Sequence, residues 1–296
     1  LDLGREFSGY IGFDLDAPAG TVVDVYGFEY LDPISGHRED SVGMENAFRY
    51  TTRAGRQTYQ SPSRRGMRYV QVTLRQPERS TAPEPVILHD VQVIESHFPV
   101  SRVGTFRSSD ARLDEIWEMS RRTVIACMED TYVDCPGYEQ VFWVGDSYSS
   151  ARFSAYLFGA EALTRRCLRL VPQSAPQTPL YGSNIPSGWD SVIPNFTFFW
   201  TLAVEEHCFR TGDSDFATEM WPKVQSALEA FTSHLNADDL LEITAWNLLD
   251  WAPIDQPNSG VVAHQNCLMV MALEAAGRLA TMVNRGDDAV PLLDTA

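Results

Sequence analysis

A chain of 296 residues with 44% hydrophobic side chains is long enough for two domains and a substantial core. Its 40 acidic against 23 basic residues give a formal net charge of −17 and a pI near 4.7. That balance argues against nucleic acid and anionic membranes as partners and favours a neutral ligand such as a sugar. No run is apolar for long enough to cross a bilayer, and no amino-terminal signal pattern is present. The chain opens without Met in what reads as a strand, so a segment of a longer protein is expected.

Residues 1 to about 98 alternate with a period of two. Ile11, Phe13 and Leu15 share one face, Pro18 to Gly20 make a turn, and Val23 and Val25 open the return strand. Val70 with Val72, and Val91 with Val93, repeat the pattern, which predicts an antiparallel β-sandwich over residues 1–104. The polar, Arg- and Ser-rich stretch 53–65 reads as a loop.

From about residue 105 the period becomes helical. Ser108 or Ser109 is expected to cap a helix carrying Leu113, Ile116, Trp117 and Val124. One helical pattern runs from Asp146 to Leu170, a long loop from Pro172 to Gly188, and further helices over about 191–210, 215–235 and 259–284. The link from Arg210 to Asp213 reads as a helix stop and a new start. Trp200 and Trp221 fall inside amphipathic patterns and are expected in the core. Of five cysteines, four lie in apolar helical patterns and are expected to be buried; Cys135 is the exception. No spacing suits a metal site, and no metal or cofactor is expected.

The densest chemistry lies between Asp134 and Asp146, where three carboxylates and three aromatic rings surround Pro136-Gly137. A carboxyl pair can act as general acid and base, and an aromatic face packs on the apolar side of a pyranose. The Pro-Gly turn frees Asp134 and Glu139 to face one cavity. If the rest is helical, Glu139, Trp143 and Asp146 form one stripe. Blander roles are open beside these: Asp146 as a helix cap, Asp134 in a turn, Trp143 in the core. Trp189-Asp190 and the run Trp246 to Trp251 repeat the combination at loop ends, with Asp190 also readable as an N-cap.

The run Asp134-Cys135-Pro136, Glu139, Trp143-Val144-Gly145-Asp146 resembles the signature of the bacterial α-L-rhamnosidases of glycoside hydrolase family 78. The strand-rich start resembles the β-sandwich preceding that family's catalytic barrel, and Trp189-Asp190 and Asp250-Trp251 fall where the family carries sugar-binding tryptophans. The resemblance implies a β-sandwich over 1–104, then the amino-terminal part of an (α/α)6 barrel over 105–296. It also implies hydrolysis of terminal α-L-rhamnose with inversion. By the same resemblance Glu139 matches the general acid, with Asp134 as the competing candidate. Asp134 and Asp146 match carboxylates that hold sugar hydroxyls, and Trp143, Trp189, Asp250 and Trp251 match the lining of the rhamnose pocket. Where many members carry an Arg and a Gly, this chain has Tyr138 and Phe142, and its acid-to-acid spacing is one residue shorter. No segment before Ala296 matches the family's general base, so the barrel is expected to be truncated and this segment alone inactive.

The implied partner is a rhamnose-containing glycoside or oligosaccharide; a cytoplasmic location is expected from the subgroup, with an extracellular one as the alternative, and a homodimer is a separate expectation. Rival expectations are a sugar-binding homologue without catalysis, and a glycosidase of the same scaffold acting on another deoxy sugar or a pentose.

Overall fold

The computed structural model describes residues 1–38, 46–76 and 84–294. The chain forms two compact units, Leu1–Pro99 with Phe106–Val141, and Val100–Thr105 with Phe142–Ala296.

The first unit holds six strands: β1 (Asp2–Ala17), β2 (Val22–Phe28), β3 (Ala47–Thr51), β4 (Gly55–Gln60), β5 (Arg65–Arg75) and β6 (Ile87–Glu95). They form one antiparallel sheet in the order β3-β2-β5-β1-β4, with β6 on β1. The long strand β1 organises it. Along one edge β1 pairs first with β5, ending at Gly9↔Arg65, and then with β4, from Gly12↔Gln60. Its other edge carries β6, from Gly9↔Glu95 to Asp16↔Ile87. Alternation sends Ile11, Phe13, Leu15 and Ala17 of β1 inward, against Val23 and Val25 of β2 and Met67 and Val70 of β5.

Strands β3 and β4 lie far apart on the strand path, yet Tyr50 and Tyr59 bring their ring centroids within 4.6 Å. The expected antiparallel sandwich is thus built from a single sheet curled over its own core. The expectation of a loop over 53–65 is corrected, because Gly55–Gln60 is strand β4. Its inward residue is the buried Gln57, an amide where the pattern calls for an apolar side chain. Burial is tolerated because the amide is fully used. Gln57 donates to the carbonyls of Arg53 (2.7 Å) and Gly55 (2.8 Å), and accepts from the Arg53 amide (3.1 Å) and the Tyr50 hydroxyl (3.0 Å).

Helix α1 (Ala111–Ala126) packs on β1 in the same unit; the Ser8 hydroxyl donates to the Ala126 carbonyl at 2.9 Å. Asp110 caps this helix, accepting the Arg112 amide at 3.0 Å, in place of the expected Ser108 or Ser109. Ser108 instead accepts the amide of Asp110 at 3.2 Å.

The second unit is helical: α2 (Val144–Leu157), α3 (Glu161–Leu170), a 3-10 turn (Val171–Ser174), α4 (Pro194–Thr211), α5 (Ser214–Thr232), α6 (Ala263–Met282) and α7 (Gly286–Leu293). The single pattern expected over 146–170 is two helices, broken where Phe158 turns extended (φ −140°, ψ 158°) and bridges Arg102. The stop and start at 210–213 is present as read. Gly212 ends α4 at φ 67°, and Asp213 caps α5 by accepting the Phe216 amide at 2.9 Å.

Helix α4 is the most enclosed element, with Asn195, Phe198, Trp200, Thr201 and Val204 buried. Trp200 and Trp221 are in the core, as their patterns predicted. Cys127, Cys167 and Cys208 are buried, but Cys267 is exposed. The reason is that α6 is apolar on both faces: Leu268, Met269 and Ala272 point inward, Val270 and Met271 outward. Among the described residues no helix is long and apolar enough to cross a membrane.

Candidate active site

In the first unit, the chain leaving α1 forms a narrow-necked loop. The Asp134 amide donates to the Val141 carbonyl at 2.9 Å, and the Asp134 carboxylate accepts the Val141 amide at 2.8 Å. Inside that neck Cys135 bridges the two candidate acids. Its thiol donates to the second Asp134 carboxylate oxygen at 3.0 Å, and its sulfur accepts the Glu139 amide at 3.1 Å. Burial, then the hydrogen bond to Asp134, pushes the thiol up to about 12, so it stays protonated and inert as a nucleophile. Gln140 closes the loop in the left-handed region (φ 56°), its amide donating to the Pro136 carbonyl.

Two glycines let this loop sit tightly against the sheet of its own unit. A Cβ on Gly66 of β5 would lie 2.2 Å from the Pro136 carbonyl, and one on Gly137 would lie 2.4 Å from the Glu29 carboxylate. Residues 135–142 are not helical, so the expected stripe of Glu139, Trp143 and Asp146 does not form. Glu139 and Asp134 are half-buried on the loop.

In the second unit, Trp143 is the N-cap residue of α2, and Asp146 lies exposed in the first turn rather than at the cap. Trp143 stands edge-on to Trp189 (5.6 Å, 87°), Phe196 (6.0 Å, 84°) and Trp246 (6.2 Å, 82°). Trp246 in turn packs on Trp189 (5.9 Å) and Trp251 (6.1 Å). Trp189 is 54% and Trp251 82% exposed, so the cluster is an open aromatic surface rather than core. Asp190 is exposed and caps nothing; Ile193 is the N-cap residue of α4. Asp250 is exposed, and its carboxylate accepts the Trp251 amide at 2.7 Å, which ties the acid to the ring beside it.

The loop 243–260 carries Trp246, Asp250 and Trp251, and it is held by neutral amides that sequence reading passed over. The buried Asn247 donates to the carbonyls of Ile243 (3.1 Å) and Pro257 (3.0 Å) and accepts from Gln265 of α6 (2.7 Å). Asn195 of α4, fully buried, donates to the Leu248 carbonyl at 2.8 Å. Gln256 spans the tip, accepting the Leu249 amide (2.9 Å) and donating to the Asp250 carbonyl (3.0 Å). Trp246 is a further addition to the expected ring set; its place in the run Trp246 to Trp251 was the available signal. Among the described residues no three His, Cys, Asp or Glu side chains converge as a metal site.

Residues 101–292 match the family described as the bacterial alpha-L-rhamnosidase 6 hairpin glycosidase domain, and residues 1–94 match the bacterial alpha-L-rhamnosidase concanavalin-like domain. The GH78 family rhamnosidase of Bacillus sp. GL1 is 49% identical, with a TM-score of 0.94 over 99% of this chain and 30% of that one. A rhamnosidase from Klebsiella oxytoca, solved with rhamnose bound, shares the fold at 18% identity, with a TM-score of 0.77 over the whole of this chain and 61% of that one. An alpha-L-rhamnosidase of Formosa agariphila is 23% identical over 164 residues, which are 53% of this chain and 16% of the relative. The chain therefore spans well under two thirds of the Bacillus and Formosa proteins it matches. A curled antiparallel sheet domain followed by helices of a six-hairpin glycosidase domain, matched over nearly its whole length, places this chain in the bacterial α-L-rhamnosidase family.

Proposed function

We propose that the full-length protein removes terminal α-L-rhamnose from glycosides or oligosaccharides by an inverting displacement, and that this chain supplies its general acid and much of its sugar-binding surface. The observation that supports this most is the open cluster of Trp143, Trp189, Trp246 and Trp251. An apolar surface whose rings are accompanied in the chain by exposed carboxylates, Asp146 after Trp143, Asp190 after Trp189 and Asp250 before Trp251, suits a ring that has hydroxyls and one methyl group.

In this reading Glu139 gives its proton to the departing glycosidic oxygen, while a carboxylate activates water on the opposite face of the sugar. Inverting enzymes keep the two groups roughly 6.5–9.5 Å apart to admit that water. Asp134 and Asp146 hold sugar hydroxyls, and Trp143, Trp189, Asp250 and Trp251 line the rhamnose pocket. We take residues 1–104 as the accessory domain and 105–296 as part of the catalytic one. A homodimer and a cytoplasmic location complete the proposal, to be read by sedimentation and by cell fractionation.

The test is hydrolysis of p-nitrophenyl α-L-rhamnopyranoside by the full-length protein, with the product anomer followed by NMR. Release of β-L-rhamnose as the first product is expected. Release of the α-anomer would refute inversion. Binding of rhamnose without turnover would favour a sugar-binding homologue, and cleavage of a different aryl glycoside would move the assignment to another sugar.

A further inference from the structure

Beside the tryptophan cluster, the second unit carries a cleft of about 390 Å³ whose glutamines and asparagine none of the roles above uses. Its walls include Gln173, Gln177, Asn184, Trp189 and Asp190. Gln173 and Gln177 flank the end of the 3-10 turn, where the Gln177 amide donates to the Ser174 carbonyl at 2.9 Å. Asn184 is 6% exposed, and its carbonyl oxygen Oδ1 has no hydrogen-bond partner. A buried, unmatched acceptor is costly unless something completes it.

The floor is well braced. The Ser183 amide donates to the Ser191 carbonyl at 2.8 Å, the Ile193 amide to the Ser183 hydroxyl at 2.5 Å, and Asn184 bridges the backbone of Trp143. Trp189 belongs both to this cleft and to the aromatic cluster, so cleft and cluster share a wall.

The lining decides what fits. It contains no Lys, Arg or His, and Asp190 is its one formal charge, so an anionic group finds nothing to pair with. What it offers is amides, a carboxylate and one aromatic ring, the set that recognises hydroxyls on a ring with an apolar face. We propose that this cleft is a subsite for a neutral hexopyranose, the sugar to which the terminal rhamnose is attached. The inference rests on the rhamnosidase reading and names the leaving-group side of the same site.

The test uses the full-length protein and the double variant Gln173→Ala, Gln177→Ala; both side chains are exposed, so the fold is spared. Hydrolysis of 1→2-, 1→4- and 1→6-linked rhamnosyl-glucose is compared with that of p-nitrophenyl α-L-rhamnopyranoside, whose flat aglycone has no hydroxyls. For at least one linkage, the ratio of kcat/KM for disaccharide over nitrophenyl substrate should fall about ten-fold, the loss expected from two hydrogen bonds. Rhamnosyl-glucuronate should be cleaved by wild type at least about ten-fold more slowly than the matching glucose compound, the size of one unfavourable charge placement. A ratio within two-fold of wild type for every linkage, or equal cleavage of glucose and glucuronate compounds, overturns the subsite while leaving the rhamnosidase reading intact. No nitrophenol release by wild type overturns both.

Discussion

The loops 134–141 and 243–260 carry similar chemistry, carboxylates beside aromatic rings, but are held in different ways. In the first, the scaffold and the acids are the same groups. Asp134 closes the neck through both carboxylate oxygens, one on the Val141 amide and one on the Cys135 thiol. In the second, the acids and rings hang outside a separate neutral framework of Asn247, Gln265, Asn195 and Gln256. Function and fold are therefore inseparable in one loop and separable in the other, which gives substitutions different signatures.

The comparison breaks most visibly at Asp134. Asp134→Ala removes both clasps and a proposed sugar contact, so kcat/KM is expected to fall at least about 100-fold and stability by about 2–3 kcal/mol together. Steady-state kinetics and urea denaturation read the two. Activity lost at full stability would show that the clasp contributes nothing to the fold. In the amide-held loop, Asn247→Ala strands the buried Ile243 carbonyl, the part-buried Pro257 carbonyl and the Gln265 amide, at a cost of about 2–3 kcal/mol. KM should rise more than kcat falls, because the framework positions binding rings and not the acid. Trp251→Ala removes a ring that is 82% exposed, so KM should rise roughly ten-fold, about 1.4 kcal/mol, with the melting temperature unmoved.

The smallest effect sharpens the scaffold reading of Cys135. With Cys127, Cys135 and Cys208 all pushed to about 12, their thiolate fraction at pH 8 is about 10⁻⁴. Iodoacetamide under native conditions should label Cys267 alone among the five, as read by peptide mass mapping. Rapid labelling of Cys135 would contradict the bridge it makes between Asp134 and Glu139.

Much of this was legible in the residues because the two loops are chemically dense. Pro136-Gly137 announced a turn, and acids next to tryptophans announced a sugar surface. What escaped is what sequence encodes with ordinary surface residues. Strand β4 was hidden because its inward residue, Gln57, is an amide satisfied by backbone and by Tyr50. Asn195, Asn247 and Gln265 look like solvent-facing positions until tertiary structure buries them, so the framework of the second loop carried no signal. The break between α2 and α3 was invisible because Phe158-Gly159-Ala160 has no proline, and Phe158 leaves the helix to bridge Arg102. The exposed Cys267 was misplaced because α6 also carries apolar residues, Val270 and Met271, on its outward face.

The central claim is that Glu139 is the proton donor, and the most direct measurement is Glu139→Gln in the full-length protein against two leaving groups. Removing a general acid costs about 10²–10⁴-fold where the leaving group needs a proton. Rhamnosyl-glucose should therefore lose about that factor, while p-nitrophenyl α-L-rhamnopyranoside, whose phenolate departs readily, should lose far less. Equal losses on both substrates, or wild-type cleavage of the disaccharide, would contradict the assignment and turn attention to Asp134.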